Sequence, residues 1–167
     1  ILVPPFQGAD GSVVVGAAGG RVEGAGGTFA DVPPGAVPDG TVVRVEPLLA
    51  VAFGLPAPAG YPFVGGIRVD LGGVPARVPV DIGVAIPAGV TPQNDIVVAQ
   101  PIQTARGLAW TIVDRAAPNA GRYETASPPF PGPLAGSYAF LDPETNCVSW
   151  VGIVWHPQVN LILSGLD

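Results

Sequence analysis

Residues 41–47 read Thr-Val-Val-Arg-Val-Glu-Pro, and apolar and charged side chains alternate along them. In an extended chain, successive side chains point to opposite faces. Val43 and Val45 therefore share one face, while Arg44 and Glu46 share the other. This pattern predicts a strand with a buried valine face and a charged face in water.

The alternation recurs along the chain. Residues Gly66–Leu71 place three apolar side chains on the expected core face and two charged ones on the other, and Pro79–Ile86 repeats the pattern. Further candidate strands are Ser12–Val15, Arg21–Glu23, Thr28–Ala30, Asp95–Gln100, Leu108–Asp114, Gly121–Thr125, Gly136–Leu141, Val148–Trp155 and Val159–Leu163. About a dozen short strands at roughly 8–12-residue spacing are typical of an all-β, immunoglobulin-like sandwich.

The composition favours a folded chain without long helices. The 24 glycines and 21 prolines of the 167 residues interrupt nearly every helical window. The hydrophobic share of 48% and the mean hydropathy of +0.45 are too high for a disordered chain. The longest apolar tract, Leu48–Ile67, is broken by three prolines, so no membrane span is expected.

The charged residues exclude several classes of function. All seven basic residues are arginine, and with thirteen acidic residues they give a net charge of -6. Nucleic acid is therefore not an expected partner, because phosphate binding requires clustered basic residues. The absence of lysine excludes Schiff-base chemistry and lysine isopeptide crosslinks.

Two stretches of the sequence echo each other. Residues 34–48 begin Pro-Gly-Ala-Val-Pro and run into the strand at 41–47, and residues 87–102 begin Pro-Ala-Gly-Val-Thr-Pro and run into the candidate strand at 95–100. A chain rich in Pro, Gly and Val also produces such echoes by chance. The alternative is a pair of related corners, one in each half of the sandwich.

Residues 29–48, and above all Pro33-Pro34-Gly35-Ala36, resemble the opening of ZU5-type domains, in which an apolar strand runs into a Pro-Pro-Gly-Ala loop. The resemblance covers roughly residues 12–141. It implies a β-sandwich module, which bacteria usually carry within large secreted or surface proteins. Some relatives cleave themselves at a His-Phe-Ser sequence near the domain end. Residues 136–140 here read Gly-Ser-Tyr-Ala-Phe, so self-cleavage is not expected.

Catalytic and metal-binding motifs are sparse. His156 is the only histidine and Cys147 the only cysteine, and their odd spacing places them on opposite faces of a strand. Asp142 and Glu144 flank Pro143, but a calcium loop requires more oxygen ligands in register. We therefore expect no enzyme activity, no cofactor and no metal site.

Aromatic side chains offer an alternative function. Trp110, Tyr123, Trp150 and Trp155 could form a flat platform on which a glycan stacks. Trp110, however, alternates in phase with Leu108 and Ile112, which favours a core position.

The two ends of the chain are unusually apolar. We expect residues 1–11 to form an extended arm and residues 142–167 to form an apolar hairpin or strand. The C-terminal stretch either pairs within its own sheet or, like the arm, adds to a neighbouring subunit, because an unpaired apolar edge invites aggregation. The predicted assembly contacts are Ile1, Leu2, Val3, Trp150, Ile153, Trp155, Leu161 and Leu163.

The sequence thus predicts a non-enzymatic, extracellular structural module of bacterial type. Its expected partners are copies of itself, as in a surface filament or array, or neighbouring domains of the same protein. A carbohydrate-binding or adhesive domain of a larger secreted protein is the alternative.

Overall fold

The computed structural model describes residue 8 and residues 11–92, 95–127 and 130–143. Nearly all of the predicted N-terminal arm and C-terminal hairpin lies outside the described residues. So do the predicted assembly contacts Ile1, Leu2, Val3, Trp150, Ile153, Trp155, Leu161 and Leu163.

Ten strands account for about half of the described chain. They are β1 (Val13–Val15), β2 (Gly20–Glu23), β3 (Phe29–Val32), β4 (Thr41–Leu48), β5 (Phe63–Asp70), β6 (Asp81–Ala85), β7 (Ile96–Thr104), β8 (Gly107–Asn119), β9 (Arg122–Thr125) and β10 (Gly136–Leu141). Two short 3₁₀ turns, at Ala25–Gly27 and Ala50–Phe53, complete the secondary structure. The all-β prediction is confirmed, and none of the described residues forms a helix long enough to cross a membrane.

The strands form one continuous antiparallel sheet in the order β1-β4-β5-β10-β7-β8-β9-β6-β3-β2. Two halves, as in a sandwich, are joined through β8, which is 13 residues long. Its first part pairs with β7 and its last four residues pair with β9. The sheet therefore curls into a nearly closed wall, whose opening lies between β1 and β2.

Side chains from all ten strands meet in one interior cluster. Val43 and Val45 of β4 are buried in it, whereas Arg44 and Glu46 face outward as the alternation predicts. Ile67 and Val69 of β5 lie beside them. Each fully buried valine or isoleucine contributes about 1.5–3 kcal/mol, so this interior stabilises the curled sheet.

A second apolar cluster lies on the outer face of β5, β10, β7 and β8. Residues 49–62, here called the crossing segment, leave β4 and pass over this face before β5 begins. Phe53 of this segment is buried against the sheet, at a ring-centroid distance of 5.5 Å from Trp110. The indole Nε1 of Trp110 donates to the carbonyl oxygen of Pro56 at 2.8 Å. Gly66 makes room, because a Cβ there would lie 2.9 Å from the Phe53 ring.

The Pro-Pro-Gly-Ala corner joins β3 to β4. Gly35 adopts a φ of 75°, a left-handed conformation that favours glycine. Ala36 is buried, and its carbonyl oxygen accepts a hydrogen bond from the backbone N–H of Arg77 at 2.8 Å. The echoed stretch joins β6 to β7 with Gly89 at a φ of 81°. Both corners therefore connect strands that are not neighbours in the sheet, although only the first is packed into the interior.

Candidate assembly edge

The two ends of the sheet are the places where another strand can be added. Among the described strands, β1 pairs with β4 alone and β2 pairs with β3 alone. Each end strand thus has one backbone edge without a partner strand in the described part of the chain. Such an edge is a template for strand addition unless side chains protect it.

The β2 edge is protected by charge. Its outward side chains are Arg21 and Glu23, whose Nε and Oε1 atoms are 3.2 Å apart. Arg122 of β9 adds two contacts to the Glu23 carboxylate, at 3.1 and 3.2 Å. An incoming apolar strand would have to desolvate these ionic groups, which opposes association at β2.

The same charges cover an aromatic ring. The guanidinium carbon of Arg21 lies 3.7 Å from the ring centroid of Phe29, and that of Arg122 lies 5.2 Å from it. Phe29 is buried beneath them although it is on the outer face of β3. The ring lies across Gly83 of β6, where a Cβ would come within 2.1 Å of its Cε1. Cation–π contacts and ion pairs together shield the Phe29 ring from solvent.

Asp31 and Glu124 complete the charged cluster around Arg21. Asp31 Oδ1 lies 3.7 Å from Arg21 Nε, and Glu124 Oε1 lies 3.5 Å from Arg21 Nη2. Burial raises the pKa of Asp31, and Arg21 partly offsets the rise, while Asp81, Glu124 and Glu23 add to it. The cluster holds more carboxylates than guanidiniums. Both arginines are therefore paired with carboxylates of the cluster, which disfavours binding of an anionic ligand.

The β1 edge has no such protection. Its three residues are all valine. Val13 and Val15 are buried in the interior, and Val14 points outward with 41% of its surface exposed. Val14 lies directly opposite Val42 of β4, which is also exposed. This end of the sheet therefore presents an uncharged, apolar strand edge.

The next outward-facing side chain of β4 after Val42 is charged. Arg44 and Glu46 form an ion pair at 3.0 Å. Arg44 stands opposite Asp70, and Glu46 stands opposite Arg68. Opposite charges thus face one another across β4 and β5, which supports the interpretation of these side chains as a solvated face. The Val14–Val42 pair is the apolar interruption of that face.

The alternative hypothesis of an aromatic platform for glycan stacking is wrong for two of its four rings. Trp110 and Tyr123 are both 2% exposed, so neither can stack on a ligand. The predicted core position of Trp110 is confirmed, although the ring lies under the crossing segment and Leu108 is exposed. Trp150 and Trp155 lie outside the described residues, as do Cys147 and His156.

Sequence reasoning missed a carboxylate in the interior. Asp114 is fully buried, because a bulge in the β7–β8 pairing turns both Val113 and Asp114 inward. Its Oδ2 accepts a hydrogen bond from the Ser127 hydroxyl, and its Oδ1 accepts one from the backbone N–H of Arg115 at 2.8 Å. Burial raises the pKa of Asp114, and these two hydrogen bonds partly offset the rise. An alternation pattern cannot reveal such a residue, since the bulge changes the phase of the strand.

The hydrogen bond between Ser127 and Asp114 holds a loop in place. Ser127 belongs to the connection between β9 and β10, so the hydrogen bond ties that connection to β8. Within the ranges that the structure describes, no group of three or more His, Cys, Asp or Glu side chains could hold a metal ion.

The fold and its edges define the protein as a nearly closed antiparallel all-β module. A scan against protein-family models, a search of curated proteins and a search of solved structures each found no match. The ZU5 resemblance of residues 12–141 accordingly stays a prediction.

Proposed function

We propose that the chain is a non-enzymatic structural module that self-associates by strand addition at β1. The observation that carries the proposal is the contrast between the two ends of the sheet. The β2 end is closed by Arg21, Glu23 and Arg122, whereas the β1 end consists of Val13–Val15 only. Natural sheets usually protect their edges with charge, so an unprotected edge suits a contact surface.

The chain itself contains suitable donor strands. Ile1-Leu2-Val3 is apolar and lies ten residues before β1, and the stretch from Trp150 to Leu163 is uncharged. Backbone hydrogen bonds supply affinity in strand addition, while alternate side chains select the partner. A donated strand with alternating apolar residues would place one face on Val14 and the other towards the interior cluster.

Repeated donation from one copy to the next would produce an open filament or array, because donor and acceptor are different parts of the surface. The extracellular setting belongs to the same proposal. It is supported by the low charged fraction of 12%, the absence of lysine and the likeness of the Pro-Pro-Gly-Ala corner to that of secreted ZU5-type modules.

The test is the mass of the intact chain in solution, measured by light scattering over a concentration series. We expect association in the wild type and its loss in Val14→Lys, because the lysine would be buried against an incoming strand. Val90→Lys is the matched control, since Val90 is 42% exposed and lies in the turn after β6. Deletion of residues 1–7 reports whether the arm is the donor.

Association that is unaffected by Val14→Lys would overturn the β1 edge as the contact surface. A wild type that stays monomeric at every concentration would overturn self-association altogether. In that second case glycan screening of the intact chain would examine the adhesive alternative, for which Trp150 and Trp155 are the remaining rings.

A further inference from the structure

The outer side of the crossing segment is an exposed apolar surface. Leu49 is 75% exposed and Val51 is 83% exposed. Ala50 and Ala52 are exposed as well. Leu108 of β8 is 44% exposed and lies beside the end of this turn, with its Cδ1 3.9 Å from the position that a Cβ on Gly54 would take. We call these five residues, Leu49 to Ala52 and Leu108, the apolar ridge. Single exposed apolar residues are ordinary, but a contiguous group marks a contact surface.

The ridge lies within an unusually long uncharged stretch. No charged residue occurs between Glu46 and Arg68. The inner side of the crossing segment is already occupied, because Phe53 packs against Trp110 and Phe63. Its outer side therefore has apolar side chains and no ionic group that would keep an apolar partner away.

The described chain ends beside the crossing segment. Leu141, the last residue of β10, is buried in the outer-face cluster. The backbone N–H of Asp142 donates to the carbonyl oxygen of Pro62 at 2.9 Å, and Pro143 is buried. Residues 144–167 consequently start at the end of the same segment that carries the ridge.

Those 24 residues match the ridge in chemistry. Between Glu144 and Asp167 they contain no Asp, Glu, Lys or Arg, and the Val, Ile, Leu and Trp residues number eleven. The seven residues from Glu144 to Trp150 can span about 23 Å when extended. The four strands beneath the crossing segment, β5 to β8 in sheet order, span only about 14 Å.

We infer that residues 144–163 fold back over the apolar ridge of their own chain and cover Leu49, Val51 and Leu108. Residues 144–163 start beside the crossing segment, are long enough to cross it and carry no charge after Glu144. A second copy is disfavoured as the occupant, because it would compete with a segment that is tethered to the same chain and therefore has a high local concentration. The two apolar ends of the chain then have different roles. Of the two donor strands proposed for β1, this leaves the arm at residues 1–3, while the C-terminal segment completes the module that it belongs to.

Hydrogen exchange of the full-length chain, followed by mass spectrometry, tests this assignment at a concentration where light scattering gives the monomer mass. We expect amides of residues 148–163 to exchange at least about tenfold more slowly than in an unstructured peptide. The double variant Leu49→Asp with Val51→Asp should abolish that protection, whereas Val90→Asp should preserve it. Peptides from β7 and β8 report whether the variants keep their fold, and Leu49→Ser with Val51→Ser replaces the aspartates if they do not.

Unprotected amides at residues 148–163 in the monomer would overturn the inference. Protection that survives the ridge variants would overturn it too, because the segment would then be covered elsewhere. Protection that appears only when the chain associates would assign the ridge to a second copy. Val14→Lys separates this result from the proposed function, since it should abolish association and leave the protection of residues 148–163 unchanged.

Discussion

Single side chains decide how neighbouring strands of this sheet pack. Phe29 can lie flat on the outer face only because residue 83 lacks a Cβ, and Arg21 then stacks on the ring. Asp114 is tolerated in the interior only because both of its carboxylate oxygens accept hydrogen bonds. At both positions one atom more or less changes the packing of several strands.

Gly83→Ala should destabilise the fold by about 1–3 kcal/mol, because the new Cβ would overlap the Phe29 ring and lie 2.9 Å from the carbonyl oxygen of Tyr123. Gly65→Ala is the matched control on β5. Its Cβ would meet only the Val84 side chain, at 3.2 Å, so the loss should be smaller. Urea unfolding gives both free energies, and a loss at Gly65 equal to or greater than that at Gly83 would contradict the packing argument.

The buried Asp114 predicts a pH dependence of stability. Its pKa is raised from the ordinary value of 3.8, so the folded state binds its proton more tightly than the unfolded state does. Stability therefore falls as the pH rises through the window that starts near 3.8, and the loss is complete above the raised pKa. Asp114→Asn keeps the size of the side chain without the charge and should flatten this part of the profile. Thermal melts from pH 3 to 7 measure it, and an unchanged slope would rule out Asp114 as its source.

Ser127→Ala should lower the free energy of unfolding by about 1–3 kcal/mol at neutral pH, because the Asp114 Oδ2 loses its hydrogen bond while it stays buried. Ser137→Ala is the control, since the Ser137 hydroxyl contacts only the exposed Arg68 in the described part of the chain. Equal losses of unfolding free energy in the two variants would mean that the hydrogen bond to Asp114 stabilises the fold no more than an exposed one does.

At the scale of elements, the crossing segment is the least regular part of the fold and yet one of the best anchored. It belongs to no strand, so side chains and the hydrogen bond from the Asp142 N–H to the Pro62 carbonyl oxygen hold it in place. Phe53 packs between Phe63 and Trp110, and the Trp110 indole fixes Pro56. A loop that covers an apolar sheet face in this way behaves as a part of the core.

Phe53→Ala should destabilise the protein by about 3–5 kcal/mol and accelerate hydrogen exchange across residues 49–62, because it leaves a cavity over Gly66. Val90→Ala removes an exposed side chain in the turn after β6 and should change stability by less than about 0.5 kcal/mol. Chemical denaturation compares the two variants. If Phe53→Ala changes the free energy of unfolding no more than the control does, the crossing segment is not part of the core.

At the scale of the whole molecule, charge opposes association and apolar edges favour it. The net charge is -6 and the isoelectric point is near 4.5, so copies of the chain repel one another at neutral pH. The contact surface proposed at β1 contains no charged residue that could offset this repulsion.

Association should therefore strengthen as salt is added. Raising the ionic strength from about 0.01 to 0.15 M shortens the Debye length from about 30 to 8 Å and screens the repulsion between copies. Light scattering at fixed protein concentration should show a higher mean mass at the higher salt, and Val14→Lys should show none of this increase. Association that weakens with salt would point to ion pairing between copies and away from the valine edge.

The sequence by itself determined the all-β class and, within the described residues, the approximate strand positions and the face of most strand residues. Val43, Val45, Ile67 and Val69 are buried as their alternation predicts, because a period of two follows from the geometry of any extended chain. The predicted core position of Trp110 also holds. These properties are local, so a local pattern is sufficient to reveal them.

The tertiary structure alone decided how the strands are ordered and which edge stays open. The pairing of β10 between β5 and β7 joins residues 40 to 78 positions apart, and no local pattern encodes such a choice. The inward turn of Asp114 results from a register shift between two strands, and the protection of β2 results from Arg122, which is 99 residues from Glu23. The valine edge of β1 became a candidate site only when β4 was known to be its one partner strand among the described residues.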